Sequence, residues 1–493
     1  MRTARSSMWV GALPCPALRS RLSAAFTLPV TLLAFAAGCS SEGTGSQPSG
    51  KPPVTAAQSG AEAPAPPTPA ASAKADAPAA AGTAAASAAP GAAPATGAGG
   101  PPGKLNVLVL SIDSMRSDMP WNGYPRDIAP NMTAFEKASV SYTRHYAVSS
   151  YTAMSVGGFL SGRYPSELQR SGYFFSAYPE EVLFFPELLQ KAGVRTLSAQ
   201  AHFYFSKQKA GFHQGFDVYE IVPGISADNT TDKNVTSPQH LELAMKMLSD
   251  KANTAGTFFA FFHFLDPHDM YMTHEGIESF GKKARDLYDG EMKFTDQHVG
   301  KLLDFVKQQD WGKRTAIIIT ADHGEAFGEH KMYRHGFEVW DVLSHVPLMI
   351  QAPGAAPRRI DEPRSSIDLA PTILELTGTP AENSLSGQSL VPELYGAKPE
   401  PRDVIVDLPR TSDNDRRRAL IHDRYKLIAY GDEDGFDLFD IVADPGEKKD
   451  IKREQKEIFE QMKARYQDRS ASMREVCPKM TQKLKGKKKN KPC

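Results

Sequence analysis

The apolar run Arg314-Thr-Ala-Ile-Ile-Ile-Thr-Ala321 is the feature that most restricts the fold of this chain. Consecutive β-branched residues bounded by polar ones read as a buried strand. Asp322-His323-Gly324-Glu325 follows at once. In an open α/β sheet the carboxyl ends of the strands border the ligand crevice, so an aspartate and an imidazole placed there suggest a pair of metal ligands. The same residues also admit a plainer reading, a helix-capping Asp followed by a surface His.

Three further runs have the same character. Leu105 to Ile112 reads as a strand with Asp113 at its end, and Thr257 to Leu265 as one followed by Asp266-Pro267-His268-Asp269. Val346 to Gln351 is closed by Pro353-Gly354. Helical patterns fill the intervals, as in His240 to Lys251 and Tyr288 to Gln309. Strand and helix in alternation predict an α/β fold with a large, mostly parallel sheet flanked by helices. Between the first two strands, Thr152 stands where a helix can begin, ahead of Ala153-Met-Ser155-Val-Gly-Gly-Phe-Leu160. A threonine there is ordinary capping. It is also a hydroxyl at a helix N-terminus, where open N–H groups and the dipole favour phosphate or sulfate. A metal beside it would make it a nucleophile.

The first 38 residues have the plan of an export signal: Arg2, Arg5, Arg19 and Arg21 precede an apolar stretch from Ala24 to Gly38. Ala36-Ala-Gly-Cys39-Ser40 resembles a bacterial lipoprotein cleavage box, with Ala36 where Leu is usual. It implies lipid attachment at Cys39; an ordinary signal with an incidental Cys is the alternative. Residues 39–103, rich in Ala, Pro and Gly, are expected to form a disordered tether. On the lipoprotein reading the protein is expected in the cell envelope, exported and lipid-anchored to the membrane on the periplasmic face or outer surface. Basic and acidic residues number 57 each, so global charge names no partner and no nucleic acid is expected. Lysines crowd the basic tail, 471–493, from Lys479 to Lys491. That segment is either simply solvated or a contact for an anionic envelope polymer or lipid. Cys477 and Cys493 are left as a disulfide or as two thiols.

The order of motifs resembles the sulfatase family of the alkaline phosphatase superfamily, over roughly Leu105 to Ile451. Asn106-Val-Leu-Val-Leu-Ser-Ile-Asp113 looks like the family's first strand and metal Asp. Leu160-Ser-Gly-Arg-Tyr-Pro165 resembles the segment after the nucleophile, and Asp266-Pro-His268-Asp-Met-Tyr271 the family's "DPHxPY" stretch. Ala321-Asp-His-Gly-Glu-Ala-Phe-Gly-Glu-His330 is close to "SDHGExxGEH". Ile367-Asp-Leu-Ala-Pro-Thr-Ile-Leu374 and Leu438-Phe-Asp-Ile-Val-Ala-Asp-Pro-Gly-Glu447 match later parts. The resemblance implies an alkaline-phosphatase-like fold, with a catalytic domain over 104–400 and a smaller C-terminal α+β subdomain over 401–470. Counting back from Gly162, the position of the family's formylglycine-forming Cys or Ser holds Thr152. Met154 and Val156 stand where Pro and Arg are usual. Threonine is not oxidised to the aldehyde by that route, so no formylglycine is expected. Thr here resembles the superfamily's phosphodiesterases and envelope phosphotransferases, whose alkoxide attacks phosphorus.

The resemblance further implies that Asp113, Asp322 and His323 hold one divalent metal ion, with Thr152 Oγ as a ligand. Two carboxylates and an imidazole favour Mn²⁺ or Zn²⁺ over Ca²⁺. Ser114 replaces a second Asp found in many sulfatases. His268 or His335 is expected to protonate the leaving oxygen, with Arg163 in support. His330 reads as structural, and a second metal held by Asp266 and His335 is a further alternative. The expected function is hydrolysis of a sulfate, phosphate or phosphonate ester of a small molecule, glycan or lipid. An envelope phosphotransferase and a non-enzymatic binding lipoprotein are the competing readings. Specificity would lie in loops such as Arg170 to Tyr178 and His202 to Thr236, whose aromatic residues either meet the substrate or simply pack.

Overall fold

The computed structural model describes residues 99–206, 210–225 and 235–478. The export signal, Cys39, the tether up to 98 and the lysines of the tail lie outside the described residues. Cys477 is disulfide-bonded.

The strands are β1 (Asn106–Ile112), β2 (Val140–Tyr146), β3 (Arg195–Gln200), β4 (Val218–Ile221), β5 (Phe258–Phe264), β6 (Thr315–Ala321), β7 (Ala326–Phe327), β8 (Tyr333–Arg334), β9 (His345–Gln351), β10 (Arg358–Ile360) and β11 (Arg364–Ser365). The large sheet runs β10-β2-β9-β6-β1-β5-β3-β4, and β11 also pairs with β2. The predicted mostly parallel sheet is present with one exception. β9 lies antiparallel to both β2 and β6. Its carboxyl end therefore sits at the edge away from the crevice, which is why Pro353-Gly354 follows it rather than an Asp or His.

Period-two alternation splits each central strand between two cores. Phe258, Ala260, Phe262 and Phe264 pack with Leu108, Leu110 and Ile112. The helices Pro130–Lys137, Ser237–Ser249 and Ala284–Lys307 cover that face through Phe135, Leu248 and Leu302. Phe259 and Phe261 join Val107, Val109 and Ile318 on the other face. There the helices Thr152–Ser161, Phe185–Lys191 and Leu369–Leu376 contribute Phe159, Leu188 and Ile373. Burial on both faces explains why these strands read as continuous apolar runs.

The chain continues into an antiparallel meander of β12 (Val404–Leu408), β13 (Arg417–His422), β14 (Tyr425–Tyr430) and β15 (Gly435–Asp440). The helix Lys456–Ser472 packs on it through Met462 and Tyr466. A buried ionic cluster ties this sheet to the large one. Lys426 Nζ, on β14, lies 2.8 Å from Asp341 Oδ1 and 2.8 Å from Glu447 Oε1. Burial would lower the Lys426 ammonium, but the two carboxylates raise it. Burial pushes the Glu447 carboxyl up to about 7 against the pull of Lys426. Lys426→Met would remove the ammonium shared by two buried carboxylates, leaving only His345 beside Asp341. It is expected to cost about 3–5 kcal/mol of stability in urea unfolding, and a loss under about 1 kcal/mol would show that the cluster does not hold the two sheets together.

Candidate active site

β1 lies between β5 and β6 in parallel register. Ser111 pairs with His263 and Thr320, and Ile112 with Phe264 and Ala321. Paired residues of a parallel sheet share a face. Ser111, His263 and Thr320 therefore look towards the helix Thr152–Ser161, and Asp113 and Asp322 emerge side by side just past the strand ends.

Asp113, Asp322 and His323 are buried, with ligand atoms all within 4.8 Å of one another. His323 Nε2 is 3.3 Å from Asp322 Oδ2 and 3.6 Å from Asp113 Oδ1. His323 Nδ1 donates to the Gly324 carbonyl at 3.0 Å, which leaves Nε2 to present its lone pair. Asp322 Oδ1 accepts the His323 and Ser114 backbone N–H groups. Asp322 Oδ2 is buried with no hydrogen-bond partner. A buried carboxylate oxygen left this way is costly, and a cation is the partner that satisfies it. The residues fit a divalent ion bound by two carboxylates and one imidazole. Burial would raise the Asp113 carboxyl, yet His268, His263 and His323 hold it well below the usual carboxylate range.

Thr152 is the first residue of its helix, and Tyr151 is the N-cap. Its hydroxyl does not cap the helix: Oγ1 lies 3.0 Å from His323 Nε2. Glycine in a helix interior costs roughly 1 kcal/mol, and Gly157 has a reason to be there. A Cβ at that position would sit 2.2 Å from the Tyr178 hydroxyl. That hydroxyl donates to the Ala153 carbonyl at 2.8 Å, pinning the turn that carries Thr152.

A cavity of about 190 Å³ opens over Thr152, lined by Asp113, His202, His268, Asp269, Arg334 and His335 together with aromatic side chains. The His335 ring centroid is 4.1 Å from that of His323 and 4.9 Å from that of His268. His335 Nδ1 is 3.2 Å from both oxygens of Glu325, which is fully buried. Burial works to lower the His335 imidazole, but Glu325 raises it to about 9. His268 Nδ1 donates to the Asp269 carbonyl at 2.8 Å.

The structure thus brings together Asp113, Asp322, His323, Thr152, His268 and His335. It does not bring Arg163 to them. Arg163 follows the far end of the ten-residue helix, roughly 15 Å along the axis at 1.5 Å per residue, and donates to the Glu167 carbonyl. Asp266 is also engaged elsewhere. Its oxygens accept from Thr236 N and Oγ1 at 2.6 Å and from Ser237 N at 2.7 Å, capping the helix Ser237–Ser249, so it is not placed for a second metal. His330 stacks on Trp340 at 3.9 Å. Three contributors escaped the sequence reading. His202 lines the cavity. Glu325 holds His335. His263 Nε2 is 3.2 Å from Asp113 Oδ2, with Nδ1 3.0 Å from Ser111 Oγ. A lone His inside an otherwise apolar, fully buried strand was the available signal for His263.

The sulfatase family pattern matches residues 105–379. The chain belongs to the sulfatase family. Residues 328–472 also match the pattern described as N-sulphoglucosamine sulphohydrolase, C-terminal. Among curated relatives, arylsulfatase K of Gallus gallus is 30% identical over 227 residues, 43% of this chain and 42% of that protein, so less than half of the relative's length is matched. A choline-sulfatase of Rhizobium meliloti is 24% identical over 70% of this chain and 81% of its own length. Among solved structures, the phosphonate monoester hydrolase of Agrobacterium radiobacter superposes with a TM-score of 0.61 at 18% identity, covering 75% of this chain and 95% of that one. A 2-O GAG sulfatase gives 0.63 at 18%, covering 75% and 92%. These structures share the sulfatase fold.

Within this sulfatase-family site, His263 is placed to fix the orientation of Asp113. A hydrogen bond from outside a metal's ligands commonly sets affinity by about 10–100-fold, so His263→Leu should weaken Mn²⁺ or Zn²⁺ binding by that factor in calorimetric titration. Unchanged affinity would show that His263 does not position Asp113.

Proposed function

We propose that this protein is a metal-dependent ester hydrolase that uses Thr152 as its nucleophile, with phosphate and phosphonate esters ahead of sulfate esters. The observation that carries the reading is the 3.0 Å approach of Thr152 Oγ1 to His323 Nε2, beside the buried Asp113–Asp322–His323 group. Sulfatase-family membership and the likeness to a phosphonate monoester hydrolase support the reaction class. A threonine where the family forms its aldehyde favours direct attack by an alkoxide.

Asp113, Asp322 and His323 would hold the ion, which when bound lowers the pKa of an adjacent hydroxyl and offsets charge on the ester's non-bridging oxygen. Thr152 Oγ gives its proton to solvent water and bonds to phosphorus while the bond from phosphorus to the leaving oxygen breaks. His268 or His335 gives that oxygen its proton. The open N–H groups of the first helical turn favour the anion during this exchange. Water then displaces Thr152 from phosphorus, giving one proton back to that histidine, while the departing Thr152 oxygen takes a proton from solvent and the acid is released. Glu325 keeps His335 turned into the cavity throughout.

Side-by-side assays of 4-nitrophenyl phosphate, a phosphate diester, a phosphonate monoester and 4-nitrophenyl sulfate, with Mn²⁺, Zn²⁺ or Ca²⁺ added, test the reading. Turnover of a phosphorus ester should fall about a thousandfold or more in Thr152→Ala, and the wild type should accumulate a phosphorylated Thr152 peptide in a rapid acid quench. Activity that survives without Thr152 would remove it as nucleophile. Faster turnover of the sulfate would reverse the order of substrates.

A further inference from the structure

Three segments that reach the catalytic cavity carry exposed large apolar side chains among the described residues: Phe175 and Phe337 line the cavity, and Tyr173, Met270 and Tyr333 are chain neighbours of lining residues. Phe174, Phe175, Asp269, Arg334 and Phe337, in the same segments, line the cavity itself. The apolar wall is continuous from floor to rim. Tyr151, next to Thr152, stacks on Phe174 at 4.2 Å and 10°. Phe174 stacks in turn on Phe337 at 5.3 Å, and Phe175 meets Tyr204 at 5.3 Å. Gly336 permits this closure, because a Cβ there would lie 2.8 Å from the Phe174 ring.

Charge on the wall is already balanced. Arg334 is the one Lys or Arg side chain among the described lining residues, and it pairs with Asp269 Oδ2 at 2.8 Å. Among the described residues, a body bearing several anionic groups would find no Lys or Arg besides this paired one along Phe174, Phe175 and Phe337. Exposed aromatic surface concentrated around one polar floor is the pattern of an apolar ligand track, since scattered single residues would need no explanation. The cavity, at about 190 Å³, is close to the roughly 150 Å³ that holds one small aromatic ring. A longer body runs out over the exposed rim.

Resting on the hydrolase reading above, we infer that the substrate is an amphiphile: an anionic ester head at Thr152 joined to an uncharged apolar body, an alkyl chain or extended ring system, lying along Phe174, Phe175 and Phe337. The rim is then a specificity-determining surface, and water leaving it supplies the binding free energy that grows with the length of the body.

Calorimetric titration of the Mn²⁺-loaded full chain with n-alkylphosphonates from ethyl to dodecyl, below their micelle concentrations, tests this. The Kd is expected to fall about two- to fourfold per added methylene. The slope should flatten in Phe175→Ser/Phe337→Ser and persist in Phe175→Leu/Phe337→Leu, with thermal melts confirming that both variants fold. A flat wild-type series, or a sugar phosphate binding more tightly than the dodecyl compound, overturns the inference. Turnover of 4-nitrophenyl phosphate by the wild type is read separately. Turnover with a flat series removes the amphiphile and leaves the hydrolase, whereas a steep series without turnover of any ester removes the hydrolase and leaves the apolar track.

Discussion

Everything at the catalytic edge depends on the in-phase pairing of β1 with β5 and β6. A slip of one residue in either pairing would turn an aspartate or His263 to the opposite face. Register is enforced from below by Phe259, Phe261, Val107, Val109 and Ile318 on one face and by their alternates on the other. The apolar cores hold two carboxylates close together that would otherwise repel. One result is the buried Asp322 oxygen without a hydrogen-bond partner, a fit for a cation.

The helix that starts at Thr152 meets this edge from above. Its glycines weaken it as an isolated helix, yet they admit Tyr178 on one side and Val148 on the other. The gain is positional. A β-branched side chain on a pinned first turn has few rotamers to search, and its oxygen already stands beside His323. The imidazoles of His323, His335 and His268 then lead from the buried carboxylates into the open cavity, each with Nδ1 committed to a backbone carbonyl or to Glu325.

Much of this was legible in the chain. Each of the four predicted strands formed within one or two residues of its expected bounds, because strands buried on both faces announce themselves as unbroken apolar runs. Motif order revealed the family, and spacing from Gly162 singled out Thr152. What the sequence concealed were matters of direction and of partners far apart in the chain. The reversal of β9 follows from the path of the segment before it, which no local pattern encodes. Arg163 looked close to the site because it is near Thr152 in the motif, but a helix carries it away. Asp266 sat in a catalytic-looking motif, yet its oxygens answered a capping need thirty residues earlier in the chain. His263 required the register with Ser111 before its contact with Asp113 was visible.

The segment Asp341–Ser344 serves two neighbours at once. Gly324, directly after His323, donates to the Leu343 carbonyl at 2.9 Å, and any side chain at Gly324 would collide with the Val342 carbonyl. Asp341, at the start of the same segment, is held by Lys426 from the C-terminal sheet and by Glu447 through its backbone N–H. The C-terminal sheet and the Asp322–His323 turn are therefore mechanically in series, with four residues as the link. A proteolytic nick that frees the meander would release the backstop behind Gly324 and slacken the grip of His323, so the small sheet belongs to the foundation of the catalytic edge.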